Sequence, residues 1–423
     1  MRSPRVLSIA AAFLVAVSIT APPAYAGNSR WDAAWGAAAQ PAAPTVDWYG
    51  VNWSQEGFAD DSLRQVIRLG DGGAKVRIRL SNVYGTTPLR VAGATVAAAG
   101  AGAAVRPGSL RTLRFGGSAG TVIPPGREIV SDATALRTSA LERLTVTVRL
   151  NAPTGPATFH HFAMATSYRA KGDHLTDTRA TASTQRSDSW YYLTGVEVSG
   201  HPHQGTVVAF GDSLTDGVGS TKNADARYPD RLAERLVSAG RSLSVANAGI
   251  GGNRVLSDSP VYGERALSRF TRDVLERPGV RSVIVLEGVN DLAAWNETGP
   301  VTARQVIDGY RALIRLAHSR GIKVIVAPSE QVIEALARAL RLSGAERAHL
   351  FRLGGLQPPG PDSVPAYLTP SVQRVLDRMT STPVAVFDAT WTLLLANPPY
   401  AALMGDPAGA ATSATRCGAT SSA

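Results

Sequence analysis

A single cysteine, Cys417, stands in 423 residues, so no disulfide can close within the chain and a multi-cysteine zinc or iron–sulfur site is excluded. Lysine is scarce as well: Lys75, Lys171, Lys222 and Lys323 are the whole set, and the other basic residues are arginines scattered along the chain. The formal charge of +10 therefore forms no basic stripe, and nucleic acid is not an expected partner. Past the N-terminus no apolar run is long enough to span a bilayer, so no stable membrane insertion is expected. What remains is ample for globular structure, since hydrophobic residues make up 44% and charged residues 18%. A chain of this length holds two to three domains on a prior of ~150 residues each. Its chemistry must use oxygen and nitrogen groups, and no cofactor is expected. His201 and His203 lack a third ligand nearby and are not read as a metal pair.

At the N-terminus, Arg2 and Arg5 precede an apolar run from Val6 to Ile19, followed by Ala24-Tyr25-Ala26. That order of charge, apolar stretch and small residues is a secretory signal peptide, residues 1–26, with cleavage after Ala26. Pro22 and Pro23 break the run, which argues against a retained anchor. The expected destination is extracellular.

Residues 27–200 read as an all-β sandwich. Runs such as Lys75 to Leu80 and Leu144 to Leu150 alternate apolar with polar side chains, and Val91 to Ala99, Thr121 to Pro124 and Ser189 to Thr194 fit the same pattern. From residue 201 to 327 strands and helices alternate: strands at Thr206–Phe210, Leu243–Asn247, Val280–Leu286 and Lys323–Ala327, helices at Pro229–Ala239, Ala266–Leu275 and Thr302–Ser319. Such alternation predicts a parallel sheet with helices on both faces, an α/β domain. Beyond Pro328 the pattern changes to helices at Gln331–Leu342, Glu346–Leu353 and Thr369–Met379, an apolar hairpin-like run at Val384–Leu395, and a small, polar tail, 408–423, expected to be disordered.

Three segments carry the candidate chemistry. The first strand runs into Gly211-Asp212-Ser213-Leu214, the second into Asn247-Ala248-Gly249-Ile250-Gly251-Gly252-Asn253, and the third into Glu287-Gly288-Val289-Asn290-Asp291. Each lies at the carboxyl end of a parallel strand, where open α/β sheets bind ligands. Gly-Asp-Ser alone is also ordinary turn chemistry. Together, however, the segments place a serine beside three donors suited to an oxyanion: the backbone N–H groups of Ser213 and Gly252 and the side-chain amide of Asn290. Ser213 is the candidate nucleophile. Asp212 and Asp291 are read as holding loop geometry.

At these residues the sequence resembles the SGNH (GDSL) hydrolases, and residues 31–327 look like a secreted bacterial subgroup with a β-rich domain ahead of the hydrolase. The resemblance implies a three-layer, flavodoxin-like parallel sheet and a serine esterase of acylated carbohydrate or lipid-like esters, with Ser213, Gly252 and Asn290 in the family's catalytic roles. It also implies a fourth block, Asp-x-x-His, which occurs nowhere after Asn290. The histidines there are His318 and His349, and Glu346-Arg347-Ala348-His349 copies only the spacing. Residues 328–407 resemble instead a fragment of MmyB-like helix-turn-helix transcription regulators, without their recognition helix. The expectation is a C-terminally incomplete hydrolase of impaired activity; the alternative is a catalytically inactive secreted carbohydrate-binding protein. His160 and His161 are read as packing or surface residues. Trp31, Trp35, Trp48 and Trp53 are read as core fillers, with stacking on sugar rings as the other possibility.

Overall fold

The structure is a computed structural model that describes residues 30–46, 48–200, 204–292, 299 and 301–326, and beyond 327 only short stretches, the longest being 381–387 and 393–404. Two compact units divide the chain, Met1–Ala327 and Pro328–Ala423.

Within the first unit, antiparallel sheets precede a parallel one. In one sheet the strand Gly73–Ser81 pairs with Leu193–Ser199, which pairs in turn with Asp32–Gly36. In the other, Asp61–Arg68 pairs with Arg143–Leu150, and the latter with Gly93–Ala98. Alternation decides which side chains enter the core. Val76, Ile78 and Leu80 are buried, whereas Arg77 and Arg79 reach across to the Glu197 carboxylate at 2.5 and 3.0 Å. Leu63, Ile67, Val146 and Val148 from the second sheet join the same apolar cluster, so the two sheets share one core. All the strands expected from alternation are present in whole or part, but Asp61–Arg68 was not among them.

The parallel sheet has the order Leu243–Gly249, Gly205–Gly211, Val280–Leu286, Lys323–Val326. Helices Tyr228–Ser238, Ala266–Phe270 and Ala303–His318 accompany it, as expected. The last begins at a capping box: Thr302 Oγ1 accepts from the Gln305 N–H and the Gln305 side chain accepts from the Thr302 N–H. The helix expected over Ala266–Leu275 is α-helical only to Phe270 and then widens into a π turn, Thr271–Leu275. Val208, Phe210, Phe270, Val283 and Leu313 fill the core.

The β-rich region is joined to this sheet along the edge strand. The Cβ that Gly36 lacks would lie 3.2 Å from Ala246 Cβ. Ala33 N–H donates to Pro278 O, Thr206 Oγ1 to Ala33 O, and Arg277 Nη1 to Thr194 O. Tyr84 Oη donates to Glu264 at 2.7 Å. Among the described residues, no helix is long and apolar enough to cross a membrane.

In the second unit, strands Ala385–Phe387 and Leu393–Ala396 form the expected hairpin, and Pro398–Met404 is helical. Asn397 organises this piece. Its Oδ1 accepts from the N–H groups of Val384 and Tyr400, and its Nδ2 donates to the carbonyls of Met379 and Thr382. The helices expected at 331–342, 346–353 and 369–379, the signal peptide and the tail lie wholly or largely outside the described residues.

Candidate active site

The three segments converge. Gly211, Gly249 and Leu286 stand in one row of the sheet, Gly211 paired with both neighbours, so the loops that follow leave from a single edge. Asp212 Oδ1 accepts from the Leu214 N–H and so turns the chain into the short helix Ser213–Asp216. This leaves Ser213 half-buried at its first position. Asp291 binds the next loop, its two oxygens accepting from the N–H groups of Val255 and Leu256. Both aspartates hold loops, as read from the sequence.

Gly252 has φ +77, and a Cβ there would lie 2.4 Å from the Tyr262 ring. Both the left-handed backbone and the ring require glycine. Asn290 is buried, and its Nδ2 donates to Asn253 O at 2.9 Å. A primary amide has two N–H groups, and this bond uses one; the second has no acceptor among the described residues. Ser213, Gly252 and Asn290 thus all lie on the loops at one sheet edge.

The sequence reading missed the group that ties the loops together. Arg269, fully buried, donates through Nη2 to Gly211 O at 3.1 Å and Glu287 Oε1 at 3.1 Å, through Nη1 to Ala248 O at 2.7 Å and Asp273 Oδ2 at 3.3 Å, and through Nε to Asn253 Oδ1 at 2.9 Å. A guanidinium has five N–H groups, and each finds an acceptor. Those acceptors belong to all three loop segments and to the π turn. Phe210 packs against the guanidinium, 4.0 Å from its ring centroid. An arginine between Ala266 and Phe270 on the buried stripe of a helix was the available signal.

Two carboxyls beside this arginine, Glu287 and Asp212, are held toward their protonated forms, whereas against its burial Arg272 and Arg269 hold Asp273 below the usual carboxylate range. Burial, and then the neighbouring Asp212, raise Glu287 well above the usual carboxylate range, and burial pushes Asp212 up to about 6. One oxygen of each, Glu287 Oε2 and Asp212 Oδ2, is buried without a hydrogen-bond partner.

No described histidine is hydrogen-bonded to Ser213 among the described residues. His160 is not a surface residue: it is buried, with Nδ1 3.0 Å from Ala38 O and Nε2 3.0 Å from Asp216 Oδ1. The other Asp216 oxygen accepts from the Gly251 N–H at 2.7 Å, so His160 links the β-rich region to the loop that carries Gly252. His161 packs as expected, stacked on Phe162 at 4.3 Å, with burial lowering it to about 4. His318 ends a helix. His201, His203 and His349 lie outside the described residues. Of the tryptophans, Trp35 and Trp53 are core residues and Trp31 lies under Arg77, but Trp48 is 69% exposed, contrary to its reading as a core filler.

Residues 209–407 match the GDSL-like lipase/acylhydrolase family, a span that runs past Ala327 and across the stretch that resembles a regulator. No curated protein matches the chain. Among solved structures it is similar to AlinE4, a SGNH-hydrolase family esterase, with 18% identity, 51% of this chain and 98% of that chain covered, and a TM-score of 0.29. Similarity extends to an acetyl xylan esterase, AlAXEase, with 21% identity, 36% and 75% covered and a TM-score of 0.25. A native aryl esterase of M. smegmatis has 20% identity, 36% and 82% covered and a TM-score of 0.27. With Gly211-Asp212-Ser213-Leu214 inside the matched span, residues 209–407 are a domain of the GDSL-like lipase/acylhydrolase (SGNH) family, and a β-rich region precedes it.

Proposed function

We propose that the protein is a secreted serine ester hydrolase acting on acylated carbohydrate or lipid-like esters. The observation that carries this reading is the common row of Gly211, Gly249 and Leu286, from which the loops of Ser213, Gly252 and Asn290 depart together. Ser213 Oγ attacks the ester carbonyl, forming a C–O bond as its proton passes to solvent water, which later returns one to the leaving alkoxide. The carbonyl oxygen takes the negative charge and accepts from the Ser213 and Gly252 N–H groups and the second N–H of Asn290. Collapse expels the alcohol, and water releases the acid from the acyl-enzyme. Secretion rests on Arg2, Arg5, the Val6 to Ile19 run and Ala24-Tyr25-Ala26.

Because no Asp-x-x-His follows Asn290 in the sequence, this chain is expected to turn over slowly. A serine hydroxyl without a base is a weak nucleophile, yet the rest of such a site retains roughly 10³ to 10⁴ in rate over water in a protease template. The test is labelling with a fluorophosphonate probe alongside hydrolysis of 4-nitrophenyl acetate. Wild type is expected to label and Ser213→Ala is not. Equal labelling of both removes Ser213 from the mechanism, and a wild type that neither labels nor hydrolyses leaves a binding protein as the better reading.

A further inference from the structure

The one exposed tryptophan among the described residues, Trp48, sits beside the loop that carries Gly252. Trp48 belongs to a turn of the β-rich region, and its indole stacks on Phe162 at 5.3 Å between centroids and 23° between planes. Phe162 in turn lies against the nucleophile's surroundings. A Cβ on Gly251 would be 2.4 Å from the Phe162 ring and 3.1 Å from Val218 Cγ2. Gly251 precedes Gly252, and the Val218 N–H donates to Ser213 O at 3.0 Å. One ring therefore separates Trp48 from the loops that carry catalysis.

The mount is rigid. Tyr49 stands edge-on to Phe162 at 4.7 Å, its hydroxyl donates to Asp188 O and accepts from the Met164 N–H, and Met164 O accepts from the Asn223 N–H. Tyr49, Phe162 and Met164 form a small buried cluster against which Val46 and Val218 pack. Polar groups rim it: Lys222 Nζ pairs with the Asp188 carboxylate and lies 5.0 Å from the Tyr49 ring centroid.

We infer that Trp48, backed by Phe162 and rimmed by Lys222 and Asp188, is a subsite that stacks the sugar ring of an acylated carbohydrate whose ester lies at Ser213. This rests on the ester-hydrolase reading and deepens it. The physical match is between two amphipathic rings. A pyranose presents a flat C–H face and a hydroxyl rim, and here a flat indole stands edge-on to Tyr49, whose ring carries the Lys222–Asp188 ion pair able to donate and accept. An acyl chain is a flexible cylinder whose burial needs enclosure, and an indole 69% exposed encloses nothing. The β-rich region, in this reading, selects the substrate that the hydrolase domain cleaves.

The experiment uses the full chain and two esters, glucose pentaacetate and 4-nitrophenyl butyrate. Trp48→Ala is expected to raise KM for the sugar ester relative to KM for the butyrate by about tenfold, with the kcat ratio held, and Trp48→Phe to restore most of the loss. A second readout needs no turnover. Glucose pentaacetate titrated into Ser213→Ala should perturb tryptophan fluorescence, and the response should vanish when Trp48→Ala is added. An unchanged KM ratio, or a larger loss for the butyrate, assigns the ring to acyl binding or to nothing and overturns the proposal. Fluorescence binding in a protein without hydrolysis defeats the esterase reading while the stacking subsite stands; hydrolysis with no Trp48 effect defeats the subsite alone.

Discussion

The two sides of the parallel sheet are built to different standards. In the central strand Gly205–Gly211 every residue is buried, and the strand is paired on both sides by neighbours that also deliver site loops. In the edge strand Lys323–Val326 Ile325 and Val326 are each 43% exposed, and only one side is paired among the described residues. Strands of parallel sheets are ordinarily covered on both faces, which is why they are rich in β-branched apolar residues. Lys323–Val326 has that composition without that cover. The difference separates two halves of the proposed catalytic design: the proposed nucleophile and oxyanion donors come from the buried strands, whereas the Asp-x-x-His block expected after the exposed one is absent from the sequence.

The largest expected effect comes from supplying that missing half. Replacing residues after Ala327 by a family ending that contains Asp-x-x-His should raise kcat for 4-nitrophenyl acetate by about 10³-fold or more, since removing a triad member costs at least that much. If the natural chain is already fast and His349→Ala abolishes its activity, the present ending works as a substitute and the comparison fails.

Arg269 tests the buried half. Arg269→Met keeps the volume and removes five hydrogen bonds, leaving Glu287 buried without its guanidinium donor while Asp273 keeps Arg272 and Arg277. The expected cost is about 3–5 kcal/mol in urea unfolding, because the carbonyls of Gly211 and Ala248, Asn253 Oδ1 and Glu287 each lose a buried donor at ~1 kcal/mol or more. Because the same guanidinium binds Gly211 O, Asn253 and Glu287, kcat should fall with little change in KM in the fraction that remains folded. A variant as stable and active as wild type would mean that the loops hold their register without it.

Asn290→Ala is narrower. It should lower kcat by roughly 10² to 10³ with KM nearly unchanged, because its free N–H meets charge that exists only on the way to the tetrahedral intermediate. Steady-state kinetics on 4-nitrophenyl acetate checks this, and an unchanged kcat removes Asn290 from the oxyanion hole.

The legible parts of the molecule were those in which side-chain polarity follows burial. Val76, Ile78 and Leu80 alternate with arginines, and Thr206 to Phe210 is a short apolar run, so strand and sheet type could be read directly. Asp61–Arg68 was hidden because Arg64 and Gln65, on opposite faces of the strand, are both buried. The first is satisfied by the carbonyls of Ala103, His174 and Asp177, and the second by both backbone groups of Tyr191. A buried polar side chain with distant partners defeats a polarity pattern. The same holds at the site. Ser213, Gly252 and Asn290 sit in local motifs that can be read along the chain, whereas Arg269 joins loops 16 to 58 residues away and the His160–Asp216 link spans 56. Trp48 differs from Trp53 only in what covers it, which composition does not encode.

The smallest expected effect concerns the seam between the β-rich region and the hydrolase sheet. His161 is fully buried, neither ring nitrogen has a hydrogen-bond partner, and Phe159, Tyr49 and Phe162 surround it. Burial lowers it from 6.5 to about 4, with Asp216 opposing and His160 adding to the shift. In the unfolded chain the ring takes up a proton near its ordinary value, whereas the folded protein refuses it until about 4. Unfolding therefore binds the extra proton between those values, and stability contributed by the neutral ring is full above pH 6.5 and lost as pH falls toward 4. The shift corresponds to roughly 3 kcal/mol at most. His161→Phe keeps a flat ring against Phe162 and has nothing to protonate. Urea unfolding between pH 7 and 4 should then show a shallower loss of stability than wild type, by up to that amount, with the two proteins differing least above pH 6.5. Parallel pH profiles would show that His161 is hydrated in solution, and that the seam beside Gly251 is less tightly closed than its aromatic packing implies.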